Sequence, residues 1–461
     1  MQHAIARENA LPGTLDWQMT RFRFDGLRSP SIEGYASRAS VYPGESIDLM
    51  ISADPAGTFT IDIYRLGYYG GKGGRFMLSL GSFEGEPQET PMQTTERLRE
   101  CNWKPSATLR IPDDWISGVY IAKLSRANAQ SYMIFIVKQR RRTEIVVQTS
   151  DLTWQAYNKW PRGNSLYDDG LGDGNGHSYT GPNVRVSLDR PYAKYGQIVD
   201  QPMSAGTGSY LLWEFPLAYW LEAEGYDVTY CSNLDLDHDP QLLERCSVFI
   251  SVGHDEYWTR QMYVNATAAR DAGVNLLFLC GNSINHDIIT YPNEKTGEPF
   301  RAFARGDRFL DDKELMGASS FGAGYGDWTV AKPEHWAFAG TGMKAGDSIP
   351  GLIGWEYHGA PFKITDSLEV LAYSDMIGVK PLNAPAKKHE NPRVSDGKHA
   401  AVLYTADKGN IVFNAGTIWW AQGLSNPPGH IPAKGTWGRV QGPDARVQQI
   451  TRNLLNRCLG R

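Results

Sequence analysis

From about residue 40 to Lys138, apolar and polar positions alternate. Phe59, Ile61 and Ile63 do so in "TFTIDIYRLGYYGGKGGR", Val119 and Ile121 in "SGVYIAKL", and Tyr132, Ile134 and Ile136 in "SYMIFIVK". A period of two places every second side chain on one face, the signature of a strand with one face buried. Gly, Pro and Asp turns separate these runs and no helical stretch intervenes, so residues 1–140 are expected to form an all-β domain, an antiparallel sandwich of immunoglobulin type. The Gly-rich "GYYGGKGG" lacks the following helix and Lys-Ser/Thr pair of a phosphate loop, and is expected to be a loose hairpin.

The pattern changes after the short basic linker in "KQRRRTEIVVQTS". Continuous apolar runs ("EIVVQTS", "CSVFISVG", "VNLLFLCG", "HAAVLYTA", "NIVFNAG") alternate in places with helical segments such as "LLWEFPLAYWLEAEG" and "TRQMYVNATAARDAG". Gly273 is placed to cap the end of the latter. Strands that are apolar throughout are buried on both faces, so residues 141–461 are expected to form an α/β domain around a largely parallel sheet. Ligands of such sheets sit beyond the carboxyl ends of the strands. The Gly-, Asp- and Pro-rich stretches from roughly 160 to 210 and 283 to 365 show no clear periodicity and are expected to be long functional loops.

Composition narrows the function. The 461 residues carry a net charge of −5 with Lys and Arg scattered along the chain, which argues against nucleic acid or an anionic membrane as partner. No apolar run has the length of a membrane span, and "MQHAIARENALPGTLDW" lacks the apolar centre of a signal peptide, so a cytoplasmic protein is expected. Cys101, Cys231, Cys246, Cys280 and Cys458 are widely spaced and form no C-x-x-C pair, which supports neither a disulfide frame nor a zinc knuckle. With 14 Trp and 23 Tyr, an aromatic cleft for a small molecule is within reach of the composition.

The densest chemistry lies in "SVGHDEYW", where a strand should end, Gly253 should turn, and Thr259 should cap the next helix. His254, Asp255, Glu256 and Tyr257 would then emerge at the carboxyl edge of the sheet near a helix N-terminus, which stabilises carboxylates. Taken alone, the cluster is explained as well by acids favouring that helix end and a hydrogen-bonded loop histidine. The next strand changes the weighing, because "VNLLFLCGN" delivers Asn282 to the same edge. A third stretch, "QTSDLTWQAYNKWPRGNSLYDD", holds Tyr157 and Tyr167 on a segment too irregular for an amphipathic element; either tyrosine alone would be read as packing.

"YRLGYYGGKGGR", "QTSDLTWQAYN", "SVGHDEYW", "LCGN", "PGLIGWEYHG" and "FNAGTIWW", in this order, resemble the large (beta) subunit family of N,N-dimethylformamidase. The resemblance implies a mononuclear Fe(III) centre held by two tyrosines and a glutamate, in a domain resembling the class I glutamine amidotransferase fold. Position by position it places the ligands on Tyr157, Tyr167 and Glu256, with Tyr179 and Tyr192 left open for the second tyrosine. It also implies His254, Asn282 and Glu356 as catalytic residues. An active-site lysine of the family falls in "PFRAFARG", where Arg305 or Arg301 replaces it, and an arginine is not a neutral base at ordinary pH. A phenylalanine of the family becomes Cys280. The family's additional N-terminal domain and small subunit have no evident counterpart in the sequence, so its quaternary structure is not carried over; homo-oligomerisation is left open.

Two phenolates and a carboxylate form a hard anionic oxygen set suited to a trivalent ion, and three protein ligands leave positions for water and a carbonyl. The reading is therefore an iron-dependent hydrolase of a small amide, with Glu356 as general base and His254 and Asn282 stabilising the oxyanion. A non-catalytic binding protein with a structural or lost metal is the alternative. A cysteine hydrolase using Cys280 is a third reading, against which stands the missing nucleophile-elbow pattern.

Overall fold

The computed structural model describes residues 3–21, 29–161, 164–167, 184–193, 209–380, 397–430 and 442–461. Its architecture is mixed α/β, with several sheets and few helices.

In the first region a three-stranded sheet (Glu33–Ala36, Ser46–Ser52, Pro105–Arg110) faces a five-stranded one. Ile47, Leu49 and Ile51 from the first share a core with Phe59, Ile61, Ile63, Tyr120, Ala122 and Leu124 from the second. The strand Gly118–Arg126 is buried on both sides along most of its length. Tyr120 and Ala122 point into this core, while Val119 and Ile121 join the core of the α/β region. The sheet is thus itself a layer between two cores. A fully buried ion pair, Arg65 Nη2 to Glu222 Oε1 at 2.8 Å, crosses the same contact. "GYYGGKGG" links the antiparallel strands Gly57–Leu66 and Gly74–Gly85, as a hairpin should.

The second region is built on a seven-stranded sheet in the order Val228–Cys231, Ile145–Gln148, Val248–Gly253, Asn275–Cys280, Ile411–Asn414, Lys398–Thr405, Glu369–Asp375. The first five strands are parallel. The last two turn antiparallel. Continuous apolar strands follow from cover on both faces. Ile250, Val252, Leu277 and Leu279 pack with Phe215, Leu221, Ile450 and Leu454 on one side. Phe249, Leu276 and Phe278 meet Met262, Ala266 and Ala269 of the helix Arg260–Ala272 on the other. That helix starts where Thr259 Oγ1 accepts from the Met262 amide and stops at Gly273, whose φ of 105° is left-handed.

The expectation of long loops between 283 and 365 is corrected. His286–Tyr291, Ala302–Phe309, Ser319–Thr329, Ser348–Ile353 and Glu356–Gly359 are strands of two further sheets. Ser319–Thr329 reads "SSFGAGYGDWT", and its glycines hide the pattern because they serve close approach. A Cβ on Gly324 would lie 3.2 Å from the Tyr357 ring, and one on Gly326 would lie 3.2 Å from the Met376 sulfur. No helix among the described residues is long and apolar enough to cross a membrane.

Candidate active site

The parallel strands deliver the chemistry to one edge. Ile145–Gln148 runs into a seven-residue helix, Asp151–Tyr157, whose side chains are all buried. With no polar face it has no amphipathic signature, which is why "DLTWQAY" did not read as a helix. Its last residue, Tyr157, donates its hydroxyl to Glu256 Oε2 at 2.6 Å. Tyr167 reaches both carboxylate oxygens at 3.1 Å, and its ring stacks on Tyr157 with centroids 4.4 Å apart. The Glu256 amide donates to Thr153 Oγ1 at 3.0 Å, which ties the helix to the end of the neighbouring strand.

His254 leaves the same strand end. Its Nε2 lies 2.8 Å from Glu356 Oε2 and 3.3 Å from Glu256 Oε2, so one imidazole stands between two carboxylates. Asn282, from the adjacent strand, donates Nδ2 to Glu356 Oε2 at 2.8 Å and accepts from Asn285 at the other end of its amide. Trp355 packs edge-on against His254, centroids 5.4 Å apart.

Other expectations sort by geometry. Arg305 donates to the Tyr257 hydroxyl from Nη2 at 2.6 Å and Nε at 3.2 Å. Arg301 is elsewhere, paired with Asp189. Tyr192 lies beside Gln155, Asp151 and Arg190, apart from Glu256. Tyr179 lies outside the described residues. Cys280 is fully buried, its thiol pushed up to about 12 by burial, which is the state of an inert core cysteine. Asp255 turns away from Glu256 to accept from Gln148, Asn233 and Ser251 at 2.7 to 2.9 Å. The helix capped by Thr259 begins just beyond the two-residue strand Tyr257–Trp258, and Glu256 itself is held by phenols and imidazoles.

Two participants were missed or left without a role. His286 Nε2 lies 3.4 Å from Glu256 Oε1, and its ring stacks on Tyr257. The Tyr257 hydroxyl hydrogen-bonds to that of Tyr167. The strand pairing of Tyr257 with His286 brings both in. "SINHDIITY" carried the one available signal, a histidine following the second polar strand end.

The charges are set by burial against neighbours. Burial opposes ionisation of Glu256, but His254, His286 and Arg305 outweigh it and hold the carboxyl down to about 2. Burial likewise opposes a charge on His254, yet Glu356 and Glu256 raise it to about 10. Glu356 is raised by burial and by Glu256, with His254 and Asn282 opposing. Tyr157 is pushed well above a phenol's ordinary value by burial and Glu256. Tyr167 is raised by burial against the pull of Arg305. Without a cation, then, two protonated phenols share one carboxylate. Those three oxygens already converge, and a hard cation could take the place of the shared protons. Among the described residues no group of three or more His, Cys, Asp or Glu forms a metal-holding cluster, so the phenols would have to complete such a set.

The fold and this edge define an α/β protein with a buried centre of carboxylates, phenols and imidazoles. Residues 60–432 match the family described as N,N-dimethylformamidase beta subunit-like, C-terminal, and the chain belongs to that family. It is similar to the N,N-dimethylformamidase beta subunit of Alcaligenes sp, 23% identical over an alignment of 459 residues, gaps included, which covers 78% of this chain and 55% of that protein. The chain thus spans about half the length of that relative.

Proposed function

We propose that the chain is an iron-dependent hydrolase of small linear amides, of N,N-dimethylformamidase type. The convergence of the Tyr157 and Tyr167 hydroxyls on the Glu256 carboxylate within 3.1 Å, beside His254 and Glu356, carries the reading. Those three residues would hold ferric iron, which when bound supplies a Lewis acid for a carbonyl or a water.

The remaining groups divide the proton work. Glu356, raised by burial, accepts the proton of the attacking water and returns it to the leaving nitrogen. His254, set between two carboxylates, donates to the oxygen that gains charge. Asn282 holds Glu356 Oε2 through its amide and thereby fixes the direction from which that base acts. Trp355 covers one side of His254 and limits water there.

The same reading takes the two facing sheets of the first region as an immunoglobulin-like sandwich, divided near residue 140 from a catalytic domain like that of class I glutamine amidotransferases. It also takes the protein as cytoplasmic and its small-molecule amide as the main partner; self-association is left to measurement.

The test is reconstitution of the purified chain with ferric iron, followed by assay of amine release from N,N-dimethylformamide and smaller amides. Iron uptake with a visible tyrosinate-to-iron band and amine release is the expected result. A protein that stays colourless, iron-free and inert refutes the proposal.

A further inference from the structure

Arg305 is not a base at ordinary pH, yet it is buried in the site and aimed at a hydroxyl. A guanidinium only donates, and Arg305 sends Nη2 and Nε to the same Tyr257 oxygen. That oxygen is therefore the acceptor in both contacts. Tyr257 has one hydrogen left to give, and the hydroxyl in hydrogen-bond contact with it is that of Tyr167. Tyr167 in turn must spend its own hydrogen on Glu256.

We propose that Tyr257 is a positioning residue that points its hydroxyl hydrogen at the Tyr167 oxygen, with Arg305 fixing that direction. The inference rests on the reading of Tyr167 as an oxygen ligand. The chain runs one way: Arg305 to Tyr257, Tyr257 to Tyr167, Tyr167 to Glu256. Arg305 also lies over the Tyr167 ring, its Cζ 4.3 Å from the centroid, so the cation supports the same phenol from its face. The two tyrosines are thereby inequivalent. Both meet Glu256 directly, but the Arg305-anchored donor goes to Tyr167. A donor held on Tyr167 persists when that phenol gives up its hydrogen, and partners of this kind orient a ligand and tune its electron donation. Arg305 thus acts through Tyr257 and has no proton of its own to exchange.

Two measurements decide it. The first is a neutron structure of the metal-free protein in deuterated solvent. The deuterium on Tyr257 should lie toward Tyr167, and that on Tyr167 toward Glu256; the reverse orientation overturns the inference whether or not the chain binds iron. The second is ferric iron titrated into Tyr257→Phe, Arg305→Lys and Arg305→Met. Loss of a donor to a phenolate raises the energy of its electrons, so Tyr257→Phe should move the tyrosinate-to-iron band to longer wavelength, while the lost orientation of the Tyr167 phenol should weaken iron binding by about tenfold or more. Arg305→Met should shift the band the same way, and Arg305→Lys, which keeps a donor, should restore it. An unshifted band in an iron-loaded, folded Tyr257→Phe protein overturns the inference. Failure of the unsubstituted chain to take iron refutes the proposed function instead, and leaves the neutron result to decide this one.

Discussion

Gly253 and Cys280 stand opposite each other in neighbouring parallel strands, and the Gly281 amide donates to the Gly253 carbonyl at 3.2 Å. The two strands therefore end level, and His254 and Asn282 leave them side by side to meet on Glu356. Both glycines are required by space. Gly253 has φ 74°, and a Cβ there would lie 2.7 Å from that of Trp213. A Cβ on Gly281 would lie 2.5 Å from the Glu356 carbonyl oxygen and 2.8 Å from the Ile418 amide nitrogen.

Gly281→Ala is accordingly expected to do more than destabilise. The atoms it meets are backbone and cannot rotate away, so the strand carrying Glu356 must move. Stability should fall by about 1–3 kcal/mol, the usual cost of overpacking. Amide hydrolysis should fall further than the folded fraction does, because Glu356 shifts away from Asn282. Urea unfolding and turnover per folded molecule measure the two effects. Loss of stability with full turnover would show that the approach of this strand is structural only.

The oxygen set makes its own prediction. Tyr157→Phe and Tyr167→Phe each keep the ring stack and remove one oxygen from Glu256, so iron content should drop in both with small change in thermal stability. Tyr192→Phe is the control, since Tyr192 lies by Gln155 and Arg190. Equal iron content in all three variants, measured by elemental analysis, would remove the tyrosines from the metal site.

Much of this arrangement could be read ahead from the chain, and what escaped did so for physical reasons. Val248–Gly253 and Asn275–Cys280 were legible because sheets covered on both faces need unbroken apolar strands, and Thr259 and Gly273 because caps have local chemistry. The helix Asp151–Tyr157 was not, since burial on every side leaves no polar period. The strand Ser319–Thr329 was masked by glycines that serve its neighbours. Tyr257 and His286 enter the site through a two-residue parallel pairing, a contact with no periodic trace. That Arg305 reaches Tyr257 while Arg301 pairs with Asp189 likewise needed three dimensions, because nothing in "PFRAFARG" separates the two.

Ligand and base should separate on substitution of the two glutamates. Glu256→Gln replaces a carboxylate held down to about 2 by a neutral amide, so iron should be lost and turnover with it. Glu356→Gln leaves Tyr157, Tyr167 and Glu256 untouched and should retain iron, while turnover falls about a hundredfold or more. The visible band and the rate, measured on the same samples, check both. Full activity of Glu356→Gln would transfer the base role to another group.

A last prediction concerns acid stability and a histidine outside this chemistry. His399, on Lys398–Thr405, is fully buried, and its Nε2 lies 3.1 Å from the Ala415 carbonyl, the geometry of a neutral ring donating from that nitrogen. Burial, reinforced by nearby His358, lowers it to about 3. In the unfolded chain the same ring takes a proton below about pH 6.5. Between those values the unfolded state binds more protons than the folded one, so stability rises with pH across the window and falls as pH drops from 6.5 toward 3. The stabilisation is fully present above pH 6.5, and the loss below it approaches about 1.4 kcal/mol per pH unit. His399→Gln can keep an N–H for Ala415 but cannot titrate. Acids that perturb stability elsewhere contribute to both proteins and cancel in the comparison. The unsubstituted protein should therefore lose stability relative to His399→Gln as urea unfolding is repeated from pH 7.5 down to pH 5. A difference between the two that stays constant with pH would mean that His399 titrates alike in the folded and unfolded states.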